Sequence, residues 1–216
     1  MLSYFIVFLI SLIAAGTYAW FKKEYTWAQL KGMDGEKRVN DIIKSLDLPL
    51  FSDAYLPSRN GTTQIDHIVR AGNCIVVIET KNYDGTIYAD TKSSKWTQFI
   101  RGKKSTFMNP IKQNNIHVNA VTKITGKEED IRPLVVMAGK ATFKNPMPDG
   151  VIKIGQLKQY LRLAFVDAGP YGTIKEPWKN IEETINSTKK RKAIADHSKT
   201  IERAKNRSKR KVQTDV

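Results

Sequence analysis

The sequence predicts a mixed α/β domain, a small sheet flanked by helices, preceded by one transmembrane helix. Three observations carry this. The stretch "QIDHIVRAGNCIVVIETKNYDG", Gln64 to Gly85, holds two strand-like apolar runs that meet at a Gly-Asn. Segments on either side of it repeat apolar residues at helical spacing. Leu2 to Phe21, "LSYFIVFLISLIAAGTYAWF", carries no charged side chain over a length that suits the hydrocarbon core of a bilayer.

The charge-free segment reads as an anchor, not a cleaved leader, because it lacks a positively charged start and runs on to Trp20. Lys22 and Lys23 follow at once, with Tyr18 and Trp20 as interfacial aromatics. The positive-inside rule then puts everything after residue 22 in the cytoplasm, so the expected location is the cell membrane, single-pass. The lone cysteine, Cys74, fits a reducing compartment and excludes both an intrachain disulfide and a cysteine-based zinc site.

After the anchor, Thr26 to Asp47 places Met33, Val39, Ile42, Ile43 and Leu46 at helical spacing, and Pro49 ends the pattern. Strands are expected at Leu50 to Leu56, Thr63 to Arg70, Cys74 to Thr80 and Thr86 to Ala89, with turn residues between them. Asn109-Pro110 has the form of an N-cap followed by proline at the first helical position, opening a second helix over Ile111 to Ile124. Leu134 to Ala138 and Val151 to Ile154 read as further strands, and Gln156 to Phe165 as a short amphipathic helix.

The 216 residues are 41% hydrophobic, enough for one sizeable core, and the formal net charge is +15. From Ser187 onward eleven basic residues face three acidic ones, a net +8, and apolar residues thin out. The division is therefore an anchor at 1–23, a globular domain at 24–170 and a basic helical or disordered tail at 171–216. Such a charge balance favours nucleic acid or an anionic lipid surface as partner.

Charged residues inside apolar strands carry the functional reading. With Gly72-Asn73 as a two-residue hairpin turn, Ala71 faces Cys74, Asp66 lies opposite Glu79 and Gln64 opposite Lys81, all on one face. Two carboxylates with Cβ atoms roughly 5 Å apart repel each other, and a cation between them resolves this. Oxygen ligands without histidine or cysteine clusters point to Mg2+ or Mn2+. On the first helix Glu36 falls in phase with Val39 and Ile43, and Gly32 and Gly35 allow a close backbone approach there. On the second, Gln113 falls in phase with Ile116, Ala120 and Ile124.

This set suits metal-assisted phosphodiester hydrolysis, with Asp66, Glu79 and Glu36 toward the ion and Lys81 orienting water or stabilising developing charge. His67 is expected to face away from Asp66 as a packed or surface residue, and His117 to lie on a helix surface. Trp96 and Phe99 could stack bases beside Arg101, Lys103 and Lys104, but core packing is the expected role of the aromatics and a solvated loop that of the charges, and Tyr83-Asp84-Gly85 is expected to be a turn.

"GMDGE" at 32–36, "QIDHIV" at 64–69, "IETKN" at 78–82 and "NPIKQN" at 109–114 resemble, in order, the motifs of the NERD, or nuclease-related, domain. That family resembles the PD-(D/E)xK nucleases. The resemblance covers roughly residues 30–140 and implies a mixed sheet flanked by helices, with Glu36, Asp66, Glu79, Lys81 and Gln113 as the active-site set. The superfamily's proline before the aspartate is replaced here by Ile65. The expectation is a membrane-anchored, metal-dependent nuclease acting on DNA. Its rivals are a non-cutting protein that tethers nucleic acid at the membrane, and a membrane scaffold whose basic tail binds lipid.

Overall fold

The computed structural model describes residues 27–59, 61–169 and 172–188, together with Tyr4, Ile6, Val7, Ile10, Ser11 and Ser198. The expected membrane segment and the basic tail after residue 188 lie almost wholly outside the described residues. Among the described residues no helix is long and apolar enough to cross a membrane.

Helix α1 (Trp27–Lys44) leads into strands β1 (Leu50–Ser58), β2 (Gly61–Ala71) and β3 (Cys74–Lys81). Then come β4 (Thr86–Tyr88), β5 (Lys95–Ile100) and β6 (Lys103–Met108), helix α2 (Pro110–Thr125), β7 (Ile131–Met137), β8 (Thr142–Phe143) and β9 (Val151–Lys153). Helices α3 (Leu157–Ala168) and α4 (Lys175–Ser187) complete the described chain. Five strands form one sheet in the order β1-β2-β3-β7-β9, and four form a second, β6-β5-β4-β8. Both sheets are mixed: β1, β2 and β3 pair antiparallel, whereas β3-β7 and β7-β9 pair parallel.

Helices cover both faces of the five-stranded sheet, which explains why β3 is apolar on both sides. On one face Val39 and Ile43 of α1 and Leu157 and Leu161 of α3 pack against Val69, Val76, Ile78 and Leu134. On the other, Ala120 and Val121 of α2 and Ile181 of α4 pack against Ala54, Ile65, Ile68 and Val77. Helix α4 occupies the stretch read from sequence as the start of the tail. It is amphipathic, and its Trp178 ring stacks on Phe51 at 4.7 Å between centroids. Ile174, Trp178 and Ile181 bury against this face of the sheet.

The β5-β6 hairpin was not anticipated. Its turn is Arg101-Gly102, both with left-handed backbone (φ 48° and 76°), as a tight two-residue connection requires. Of the basic residues assigned to a loop, Lys103 and Lys104 sit on strand β6 and Arg101 in the turn. Trp96 is fully buried as expected, whereas Phe99 is exposed.

His67 packs into the α1 face and is 1% exposed, and among the described residues its Nδ1 finds no hydrogen-bond partner. Burial lowers its pKa to about 4, with only a partial offset from the Glu36 backbone. In the unfolded chain the imidazole titrates near ~6.5. Between those values the unfolded state binds the extra proton, so stability is complete above the higher value and is lost as pH falls toward the lower. The loss is bounded at about 3 kcal/mol. Thermal melts in chelator should show a lower midpoint at pH about 5 than at about 7, and His67→Phe should shrink that difference; an undiminished difference contradicts the assignment.

Candidate active site

The pairing register of β2 and β3 sets the site, and it stops one step early. Ala71 faces Cys74 and the hairpin runs on to His67 opposite Ile78, as the Gly-Asn turn predicts. Asp66 and Glu79 do not continue the ladder. Instead the Asp66 Oδ2 accepts the Thr80 backbone N–H at 2.7 Å. Ile65 and Ile68 both face α2, although strict alternation puts residues three apart on opposite faces. The alternation therefore slips by one residue at Asp66-His67. In β1 the opposing irregularity is Asp53, which is skipped in the ladder and holds a left-handed φ of 54°.

This slip corrects the expected partner of Lys81. Gln64 pairs with Tyr55 and donates to Asp53 Oδ1 at 2.6 Å, so it does not face Lys81. It also opens the sheet where Asp66 needs space. Glu36, Asp66, Glu79, Lys81, Gln113 and His117 all line one open cleft of about 680 Å³.

Glu79 is 1% exposed and both its oxygens are engaged. Lys81 Nζ lies 2.6 Å from Oε1 and His117 Nε2 lies 3.0 Å from Oε2. Burial pushes the Glu79 carboxyl up, but the His117 hydrogen bond and the Lys81 charge outweigh it and hold the group below its ordinary value. For Lys81, burial pulls down and Glu79 pulls up, leaving the ammonium above its usual range. Lys81 also donates to Gln113 Oε1 at 3.0 Å. These two groups therefore form a fixed carboxylate–ammonium pair at neutral pH.

Asp66 differs. Burial, then the charges of Glu79 and Glu36, raise its pKa well above the usual carboxylate value, against the pull of the Thr80 N–H and Lys81. Glu36 is half-buried and raised in turn by burial, Asp53 and Glu79. Burial and neighbouring carboxylates thus disfavour the charged forms of Asp66 and Glu36, in contrast to Glu79. Among the described residues no three His, Cys, Asp or Glu side chains are grouped so that they hold an ion between them. Glu36, Asp66 and Glu79 are electrostatic neighbours without being a ready-made cage.

Helix α1 brings Glu36 in through Gly35, where a Cβ would meet the Asn82 Cβ at 2.7 Å and the Ala138 Cβ at 3.3 Å. Gly32 has open space around it, so only one of the two glycines marks a close approach. Met33, expected on the inner face, is 48% exposed. The helix start is tied to the end of β3 by Asn82 donating to the Lys31 carbonyl at 2.6 Å and by a Lys31–Asp84 ion pair.

Helix α2 carries the larger surprise. Asn109 caps it as expected, accepting from the Ile111 N–H at 3.0 Å. His117, expected on the surface, is 3% exposed and bridges Glu79 to Thr63, whose Oγ1 lies 2.9 Å from Nδ1. The available signal was its position one turn beyond Gln113 on the same helix face. Ile116, expected in phase with Gln113, is 46% exposed instead. Asn114 is also buried, and its Nδ2 donates to the carbonyls of Val77 (3.0 Å) and Leu134 (3.1 Å). Pro133 stands opposite Val77 and brings no N–H to the ladder, so the asparagine amide pins the helix where the β3-β7 pair is short of donors. Asn114→Leu should cost about 2–3 kcal/mol in denaturant unfolding, and an unchanged midpoint contradicts this role.

An uncharacterized protein of Bacillus anthracis is 44% identical over 95 residues, covering 42% of this chain and 45% of that one. The chain thus spans less than half the length of that relative. A crystal structure of a protein of unknown function aligns with 71% of this chain and 96% of its own, at 11% identity and a TM-score of 0.34. Residues 31–138, half of the chain and the span that holds every one of these cleft residues, match the nuclease-related domain, and the chain belongs to that family within the PD-(D/E)xK-like nucleases.

Proposed function

We propose that the protein is a membrane-anchored nuclease that hydrolyses phosphodiester bonds, of DNA in preference to RNA, with Mg2+ or Mn2+. The observation that carries this is the asymmetry of the cleft: Glu79 is paired with Lys81 and His117, whereas burial and then the charges of Glu79 and Glu36 raise the Asp66 carboxyl well above its ordinary value. Repulsion from neighbouring carboxylates on a buried carboxylate is what a divalent cation relieves. Magnesium is usually held by one or two carboxylates, with water and substrate phosphate completing its shell, and so does not require a three-ligand cage, of which the described residues hold none. Asp66 and Glu79 would hold the ion, with Glu36 supporting them. When bound, such an ion supplies Lewis acidity toward the phosphate and acidifies water.

The chain's own residues supply the rest. Lys81 presents a permanent positive charge to the cleft and is held there by Glu79 and Gln113. It stabilises negative charge that grows on the phosphate during attack. His117, itself hydrogen-bonded to Thr63, orients Glu79 through Oε2. The basic tail adds salt-sensitive affinity for the phosphate backbone, and the apolar amino-terminal segment places the domain at the cytoplasmic face of the membrane.

The full chain in detergent, incubated with labelled DNA and RNA in Mg2+, Mn2+ or chelator, tests the reading. Metal-dependent cutting supports it. Tight, salt-sensitive binding without cutting under any metal favours a tethering protein instead.

A further inference from the structure

The second sheet has two unlike faces. On one, Ile87 and Trp96 are fully buried and Phe107 half-buried against the body of the domain. The strand registers place Tyr88, Phe99, Lys104 and Met108 together on the other. There Tyr88 is 44% exposed, Phe99 37% and Met108 48%. The Tyr88 and Phe99 rings meet edge to face at 5.5 Å between centroids, with no layer over them among the described residues.

Charge on this face is one-sided. The four strands of this sheet carry Lys95, Lys103 and Lys104 and no aspartate or glutamate. Lys95 and Lys104 share the face with the aromatics, and Arg101 and Lys103 stand at the hairpin tip. The hairpin also borders the catalytic cleft, which Gln98, Ile100 and Met108 line together with Asp66, Glu79 and Lys81. Lysines guarding the exposed edge strand β6 explain part of this. Edge protection needs no aromatic pair uncovered in the middle of the face.

We propose that this face is a stacking platform for an unpaired segment of nucleic acid, whose phosphates lie along Lys95 and Lys104 and whose bases stack on Tyr88 and Phe99. Aromatic side chains beside a basic track are what single strands need, because every base has a π-face whatever its identity. A duplex hides those faces. The proposal deepens the nuclease reading by naming the form of substrate that reaches the cleft, and rests on it only for the direction in which the strand runs.

Binding measured in chelator separates the two. The full chain in detergent is titrated against labelled oligothymidine, oligouridine and a DNA duplex, with fluorescence anisotropy as readout. Tyr88→Ala and Phe99→Ala should each weaken single-strand binding by roughly tenfold while changing duplex binding by less than about twofold. Phe99→Trp should retain the wild-type affinity. Loss with either DNA or RNA strands supports the platform, and the ratio of the two affinities reports which sugar it favours. The proposal is overturned if both alanine variants bind single strands like wild type, if duplex affinity falls equally, if the wild-type chain binds no single strand at low salt, or if the alanine substitutions abolish only self-association. Cleavage by the wild-type chain in Mg2+ is scored separately, so a platform without catalysis and catalysis without a platform are distinct outcomes.

Discussion

Asp66→Asn is expected to reduce cleavage by at least about a hundredfold to a thousandfold and to leave the fold intact. Asparagine keeps an oxygen for the Thr80 N–H, which Asp66 accepts at 2.7 Å, so the irregular β2-β3 junction retains its closing hydrogen bond. What is lost is charge. Because burial, Glu79 and Glu36 already hold the Asp66 pKa high, removing that charge relieves repulsion and should not lower the melting temperature. Cleavage and thermal melts on one preparation check both halves. Full activity in Asp66→Asn would place the chemistry elsewhere.

Glu79→Ala is expected to behave differently, lowering stability by about 3–5 kcal/mol as well as removing activity. Glu79 is the anion for Lys81, whose side chain is only 18% exposed, and the acceptor for buried His117. Truncation leaves an uncompensated ammonium inside the domain. Replacing both partners with apolar residues of similar volume, Glu79→Leu with Lys81→Met, should recover most of the loss, since no charge is then stranded. Equal destabilisation of the single and double variants in denaturant melts would contradict the pair as described. An inactive Glu79→Ala therefore says less about catalysis than an inactive Asp66→Asn.

Regular parts of the fold were legible because local chemistry decides them. Gly72 holds φ 63° at the hairpin turn, Asn109 caps α2, and Val39 and Ile43 sit fully buried on one side of α1. The pairing of Ala71 with Cys74 followed from the turn alone. The site was legible as a set of residues and not as a geometry. Counting by two from the turn carries past His67 only if the strand stays regular, and the slip at Asp66 depends on the neighbouring strand, where Asp53 takes a left-handed backbone. No pattern of apolar and polar residues encodes that.

His117 was missed for a related reason. For a polar residue next to exposed Ile116 the one periodic sign is its place a turn beyond Gln113, and the reach of Glu79 from β3 shows why it is inside. The β5-β6 hairpin hid because "KWTQFI" and "KKSTFM" alternate only partly and lie between basic residues that resemble a loop. Trp96 read correctly as core, being 0% exposed, while its neighbour Phe99 on the opposite face did not.

The central claim is that Lys81 acts on the reacting phosphate and the carboxylates act on the ion. Single-turnover cleavage by Lys81→Gln across a series of Mn2+ concentrations tests it most directly. Glutamine can still hydrogen-bond Glu79 and Gln113 but carries no charge. The expected result is a rate at saturating metal lowered by roughly a hundredfold or more, with the half-saturating metal concentration little changed. A wild-type rate, or a deficit erased by more metal, would contradict the account.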